Sequence, residues 1–208
     1  MRIGREAVAC CRAATRSAVW AWAMLALLGV SLPTSAEHAA APAKVAAADT
    51  VVVVVRHAEK LVATVQAGSV KPDEDPPLTP AGEARAAALS DALADADVKA
   101  IYSTPFRRTR QTAAPLAARS GIEITSYDPH TAAPELAQRI LREHRGRTVL
   151  VVGHSNTVPD IVTAFSGTKV EAIEDATYGR LFVVTISPAG EARLLRLGFP
   201  PAPPEASP

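Results

Sequence analysis

The stretch Val51–His57, V-V-V-V-V-R-H, decides how the rest of the chain is read. Five consecutive valines leave no polar face. Valine is stiff at its branched carbon and favours extended backbone. A short, wholly apolar run of this kind suits a central parallel strand covered on both sides. Arg56 and His57 follow it directly, and then Ala58, Glu59 and Lys60. In open α/β sheets, ligands bind beyond the carboxyl ends of the strands. Arg56 and His57 therefore stand where that rule puts a site.

Working outward, Leu61–Pro77 reads as a loop, with Asp73, Glu74 and Asp75 ahead of two prolines. Leu78-Thr79-Pro80 starts a helix, with Thr79 as N-cap and Pro80 at the first helical position. Its expected inner face holds Ala81, Ala84, Ala88, Leu89, Ala92 and Leu93. Gly82 is unusual so early in a helix and suggests close packing. Val98–Tyr102 reads as a second strand, and Ser103-Thr104-Pro105 as the cap of the next helix. Arg107, Arg108 and Arg110 crowd that helix start, where the backbone dipole favours anions. The arrangement makes sense if an anion binds there. A third strand is expected over Ile122–Ser126, followed by the loop Tyr127-Asp128-Pro129-His130 and a helix with Leu136, Ala137, Ile140 and Leu141 inward. Arg147–Val152 reads as a fourth strand, with Gly153 and His154 at its end and a short helix facing inward through Val158, Ile161, Val162 and Phe165. Leu181–Ile186 and Glu191–Leu197, joined by a Ser-Pro-Ala-Gly turn, read as a hairpin at one sheet edge. Strands alternating with helices predict a three-layer α/β/α sandwich. Its central sheet would be mostly parallel, with an antiparallel C-terminal edge hairpin.

The 208 residues suit one domain of ordinary size, and with aromatics at 4% the core must come from Ala, Val, Leu and Ile. Residues 1–36 read as a signal peptide: four arginines with one acid, an apolar run from Ala18 to Val30, Pro33, and small residues before cleavage near Ala36. That run is short of the ~20 apolar residues a membrane span needs, so membrane contact is expected only through an uncleaved signal. The expected location is periplasmic or secreted. Cleavage would remove Cys10 and Cys11, the two cysteines of the chain, and with them any thiol nucleophile or disulfide. It would leave 18 Lys plus Arg against 20 Asp plus Glu, a net charge of −2. Such a balance argues against nucleic acid as a partner. Residues 37–48 read as a flexible leader, 49–199 as the domain, and 200–208 as a proline-rich disordered tail.

Three strand ends thus converge: Arg56-His57, the Arg107-Arg108 helix start, and Gly153-His154. Two histidines and two or three arginines on one sheet edge describe a phosphate site. R-H-A-E-K, L-T-P-A-G-E-A-R-A, S-T-P-F-R-R-T-R-Q-T-A and V-V-G-H-S-N occur in that order. Together they resemble the histidine phosphatase superfamily, also called phosphoglycerate mutase-like, in a small, exported, bacterial-type form. The resemblance covers about Val51 to Phe165. It implies that His57 is the nucleophile that becomes phosphorylated, with Arg56 as the adjacent phosphate clamp. Arg108 rather than Arg107 aligns with the second catalytic arginine, because R-T-x-Q-T-A follows it. His154 resembles the second histidine of the pocket. The leaving oxygen needs a proton, and in the family an acid commonly lies after the third strand. Asp128 is the candidate there, with Glu135 further along. A turn-forming role for Asp128 before Pro129 competes with that assignment. Lys60, Ser155, Asn156 and Arg107 are the candidate substrate contacts.

The chemistry is consistent with these residues. A neutral imidazole can hold a phosphoryl group covalently and split one displacement into two. Arginine forks match the equatorial phosphoryl oxygens. No metal and no cofactor is expected. The chain lacks the R-H-G-E-x-x-x-N continuation of the mutases, and the segment from Arg108 to His154 is short. Both features favour an open phosphatase acting on a small phosphorylated substrate. An anion-binding regulatory module of the same fold is the alternative. A serine hydrolase elbow at Ser155 fails its pattern, because Thr157 takes the last glycine position. The oligomeric state is not readable.

Overall fold

The computed structural model describes residues 47–62 and 75–199. The chain divides into two units, Met1–Ala43 and Lys44–Pro208, and every described residue belongs to the second. The expected signal peptide over 1–36, nearly all of the leader over 37–48, residues 63–74 of the long loop and the tail over 200–208 lie outside the described residues.

In chain order the elements begin with β1 (Thr50–Arg56), α1 (Pro80–Ala92), β2 (Val98–Ser103), α2 (Arg107–Ser120) and β3 (Ile124–Ser126). They continue with α3 (Ala133–Glu143), β4 (Thr148–Gly153), α4 (Val158–Ser166), β5 (Arg180–Ile186) and β6 (Ala192–Gly198). The strands form one sheet in the order β3-β2-β4-β1-β5-β6. The pairs β1–β4, β4–β2 and β2–β3 are parallel, and β5 and β6 form an antiparallel hairpin with β5 against β1.

The valine run is buried from both sides, as its composition demands. Val52 and Val54 pack with Leu136 and Ile140 of α3 and Val158 and Val162 of α4. Val53 and Val55 pack with Leu89 of α1 and with Ala113 and Leu116 of α2. Odd and even positions of one strand thus anchor two separate apolar clusters. Fully burying one such side chain is worth roughly 1.5–3 kcal/mol, so these four alone match the net stability of a typical domain. The β1–β4 register sets Arg56 opposite Gly153, and the His57 N–H donates to the Gly153 carbonyl at 3.0 Å. His57 and His154 therefore leave two neighbouring strands at the same level.

Three local expectations need correction. First, α2 begins at Arg107, not after a Ser103-Thr104-Pro105 cap, and its N-cap Phe106 makes no side-chain capping bond. The Ser103 and Thr104 hydroxyls are engaged elsewhere, Ser103 on the Thr104 carbonyl and Thr104 on Thr109 and His154. Second, β3 starts at Ile124, because the Ile122 N–H is bound to the Ala117 carbonyl at the left-handed Gly121 turn that closes α2. Third, α1 is rotated from the expected alanine face. Its buried residues are Gly82, Arg85, Ala86, Leu89 and Ser90, whereas Ala81 and Ala92 are exposed. A Cβ on Gly82 would lie 2.2 Å from the Glu59 carbonyl oxygen, so this turn of helix lies directly on the segment after His57. Arg85 completes the contact with a forked pair to the Glu59 carboxylate, at 2.6–2.9 Å.

Candidate active site

A cavity of about 530 Å3 opens beyond the carboxyl ends of β1, β2 and β4. Arg56, His57, Arg108 and His154 all line it, and so do Lys60, Ser155 and Asn156. The two imidazole rings lie edge to face, with centroids 5.5 Å apart.

His57 is 4% exposed, and its Nδ1 lies 2.7 Å from the Ala58 carbonyl oxygen. A carbonyl oxygen only accepts, so Nδ1 carries the proton and Nε2 keeps its lone pair. Burial, with the nearby charges of His154, Arg56 and Arg108 acting in the same direction, pushes the His57 pKa down to about 3. The ring is therefore neutral at ordinary pH, with a free nitrogen lone pair for a nucleophile. Burial, with Arg108, Arg56 and Lys60, likewise lowers His154 to about 4. His154 Nε2 sits 2.9 Å from the Thr104 hydroxyl, which in turn sits 2.8 Å from the Thr109 hydroxyl. Thr109 donates to the Phe106 carbonyl at 2.8 Å. Each hydroxyl has one proton, so Thr104 donates to Thr109 and accepts from His154 Nε2–H.

The arginines are held from outside the cavity. Arg56 Nη1 donates to the carbonyls of Glu174, Asp175 and Thr177 at 2.9–3.1 Å, and its guanidinium stacks 4.4 Å from the Tyr178 ring centre. Arg108 stacks on Phe106 at 4.3 Å and pairs with Asp75 at 3.5 Å. The Nε–H groups of Arg56 and Arg108 are buried without a hydrogen-bond partner. Buried donors normally find an acceptor; two such donors at one cavity are suited to an oxyanion. The rest of the α2 motif fastens the helix in place. The Ala58 N–H donates to the Thr112 hydroxyl at 2.9 Å, and the Leu78 N–H to Gln111 Oε1 at 2.9 Å.

Three expected residues are elsewhere. Arg107 is exposed and is not among the cavity-lining residues; its backbone N–H meets the Asp75 carboxylate at 2.8 Å. Asp128 and Glu135 line a different cavity with Tyr127 and Arg139, and Asp128 Oδ1 accepts the His130 N–H at 2.8 Å. That is the competing turn-forming role. The Ser155 hydroxyl points to Asp175 at 3.3 Å rather than to a histidine base, which is unlike a serine hydrolase elbow. Sequence reasoning missed Thr104, Phe106, His130, Asp175 and Tyr178. Thr104 was mistaken for a cap, and the stretch carrying Asp175 and Tyr178 has no periodic pattern to mark it. Among the described residues, no group of three or more His, Cys, Asp or Glu side chains could hold a metal ion.

The model of the histidine phosphatase superfamily, branch 1, matches residues 52–129, a span holding Arg56, His57 and Arg108. Over that span the chain is similar to the histidine phosphatase superfamily. It is 46% identical over 52 residues to an uncharacterized protein found in two strains of Mycobacterium tuberculosis. That match spans about a quarter of this chain and a quarter of the relative. The likeness in fold extends further. SixA from Nakamurella multipartitia superposes with a TM-score of 0.54 at 23% identity, over 74% of this chain and 98% of its own. The protein histidine phosphatase SixA in complex with tungstate gives 0.54 at 18%, over 71% and 96%. A mycobacterial glucosyl-3-phosphoglycerate phosphatase gives 0.56 at 15%, over 73% and 100%. His154 lies beyond the matched span of the family model. Its place in the site rests on the β1–β4 register and the ring geometry of this structure.

Proposed function

We propose that the protein is a phosphatase that hydrolyses phosphomonoesters or related phosphorylated groups through a phosphohistidine on His57. One observation carries the reading: a neutral His57, its Nε2 lone pair free, shares a cavity with two buried and unpartnered arginine Nε–H donors. His57 Nε2 attacks phosphorus, and Arg56 and Arg108 neutralise the equatorial oxygens, so that positive charge is supplied without a metal. His154 flanks the nucleophile and can take up a proton once the phosphoryl group brings negative charge. Water then hydrolyses the phosphohistidine. Two of the solved structures with this fold are phosphatases by name, and one holds tungstate, a phosphate-like oxyanion. Both facts support the reading. The protein acts after export, in the periplasm or outside the cell, and cell fractionation with an N-terminal cleavage map tests that part.

The direct test is a rapid quench at alkaline pH with a labelled phosphomonoester. The expected label is stable to base, labile to acid and absent from His57→Ala, whose turnover falls by at least about 1,000-fold. Tight oxyanion binding without label or turnover would instead make the protein an anion-binding module.

A further inference from the structure

Protonation of the leaving oxygen has no obvious carboxylate. Asp128 and Glu135 face another cavity. The Glu59 carboxylate, just after the nucleophile, accepts both Nε and Nη2 of Arg85. Asp175 lines the site, but its carboxylate accepts the Ser155 hydroxyl at 3.3 Å and lies 3.7 Å from Arg56 Nη2. In that position it is engaged as an acceptor. Tyr178 lies against the Arg56 guanidinium. His57 is the nucleophile, and His154 Nε2 is tied to Thr104.

Besides the arginines, Lys60 and His130 are the remaining proton-bearing groups on the cavity wall, and of the two the imidazole suits a group that must both give and take a proton. His130 comes from the loop after β3, is exposed, and among the described residues its ring makes no hydrogen bond. The local backbone explains why the imidazole and not the carboxylate reaches the site. Asp128 Oδ1 accepts the His130 N–H at 2.8 Å, and the Asp128 carbonyl accepts the Thr131 N–H at 2.9 Å. The turn folds the Asp128 carboxylate back onto its own main chain, while Pro129 and His130 form part of the cavity wall. Imidazole is the side-chain class that both gives and takes a proton near neutral pH.

We propose that His130 is the general acid and base of this hydrolysis, an inference that rests on the phosphatase reading above. In the first step the His57 Nε2 lone pair forms the N–P bond. The P–O bond to the leaving group breaks, its electron pair stays on oxygen, and the His130 imidazolium protonates that oxygen to release the alcohol. In the second step water attacks phosphorus while neutral His130 takes its proton. The N–P bond breaks, its electron pair returns to His57 Nε2, and inorganic phosphate leaves.

The test compares kcat/KM for 4-nitrophenyl phosphate and phenyl phosphate, two esters of similar shape whose leaving oxygens differ in basicity. The protein with His130→Gln should lose at least about tenfold more on phenyl phosphate than on the nitrophenyl ester, because the better leaving group needs less proton transfer. Asp128→Asn, which keeps an oxygen acceptor for the turn, should leave the ratio of the two esters unchanged. An unchanged ratio in His130→Gln overturns the inference. So does a ratio that collapses in Asp128→Asn, which would make Asp128 the acid. The phosphatase reading fails separately, if the wild-type protein turns over neither ester and His57 takes up no label.

Discussion

His57 and His154 are 4% and 8% exposed and share their cavity with Arg56 and Arg108. Burial and those cations hold both pKa values well below 6.5, at about 3 and about 4. Above pH 6.5 each ring is neutral whether the chain is folded or unfolded, and neither contributes a pH dependence. Below 6.5 the unfolded chain takes up protons that the folded chain refuses, so stability is lost as pH falls towards the folded values. His144, also held low by burial, acts with the same sign. Each refused proton adds about 1.4 kcal/mol of slope per pH unit. Between pH 6.5 and 5, before most carboxylates titrate, the free energy of unfolding should fall steeply in urea titrations. His57→Gln should flatten that slope by about 1.4 kcal/mol per pH unit. An unaltered slope would mean that His57 is not held neutral. At this scale the sequence placed Arg56, His57, Arg108 and His154 at one sheet edge: Arg56 closes β1, His57 and His154 follow β1 and β4 directly, and Arg108 stands in the first turn of α2. It did not show what holds them. The Thr104 hydroxyl reaches His154 across 50 residues, and no spacing rule reports such a contact.

At the scale of elements, α1 is the instructive case. Its alanine-rich sequence has small residues all round, so hydrophobic periodicity could not say which side faces inward. The contact with the R-H-A-E-K segment decides it instead. The Thr79 N–H donates to the Glu59 carbonyl at 2.9 Å, Gly82 lies against that same carbonyl, and Arg85 holds the Glu59 side chain. Two of the four sequence motifs are therefore one structural unit that braces the backbone just after the nucleophile. Gly82→Ala separates two opposing effects. Helix propensity alone would favour alanine by about 1 kcal/mol. Against it, a Cβ placed 2.2 Å from a main-chain oxygen must push the helix or the Glu59 segment aside. Such overpacking costs about 1–3 kcal/mol, and a clash with main-chain atoms belongs at the upper end, so the variant should be less stable by up to about 2 kcal/mol in denaturant titrations. The same displacement should lower kcat, since the shifted backbone carries His57. A variant more stable than wild type would show that the helix and the segment are not pressed together.

At the scale of the whole domain, the valine run and the β/α alternation were enough to read the sheet, since a strand apolar on every position must lie between two layers. The hairpin was equally plain from its turn. What stayed hidden is the loop from Glu174 to Tyr178, which the Arg56 guanidinium ties to the end of β1. It carries no repeat and few apolar residues, and a side chain on a distant strand determines its position. The site is thus assembled from β1, β4, the start of α2 and this late loop, and an oxyanion among them would bind segments that come together only in the folded chain. Ligand binding should therefore stabilise the domain as a unit. Tungstate at one hundred times its Kd adds about 2.7 kcal/mol, which for a domain of this size raises Tm by about 5–10 °C. Arg108→Ala should abolish most of that rise. Among the described residues Arg108 makes one ion pair, to Asp75 at 3.5 Å, and its buried Nε–H has no partner, so its loss should lower the unliganded Tm by no more than about 4 °C. The comparison is a thermal melt of both proteins with and without tungstate. Equal rises in the two would mean that the anion binds without Arg108, and that the cavity at the strand ends is not where it sits.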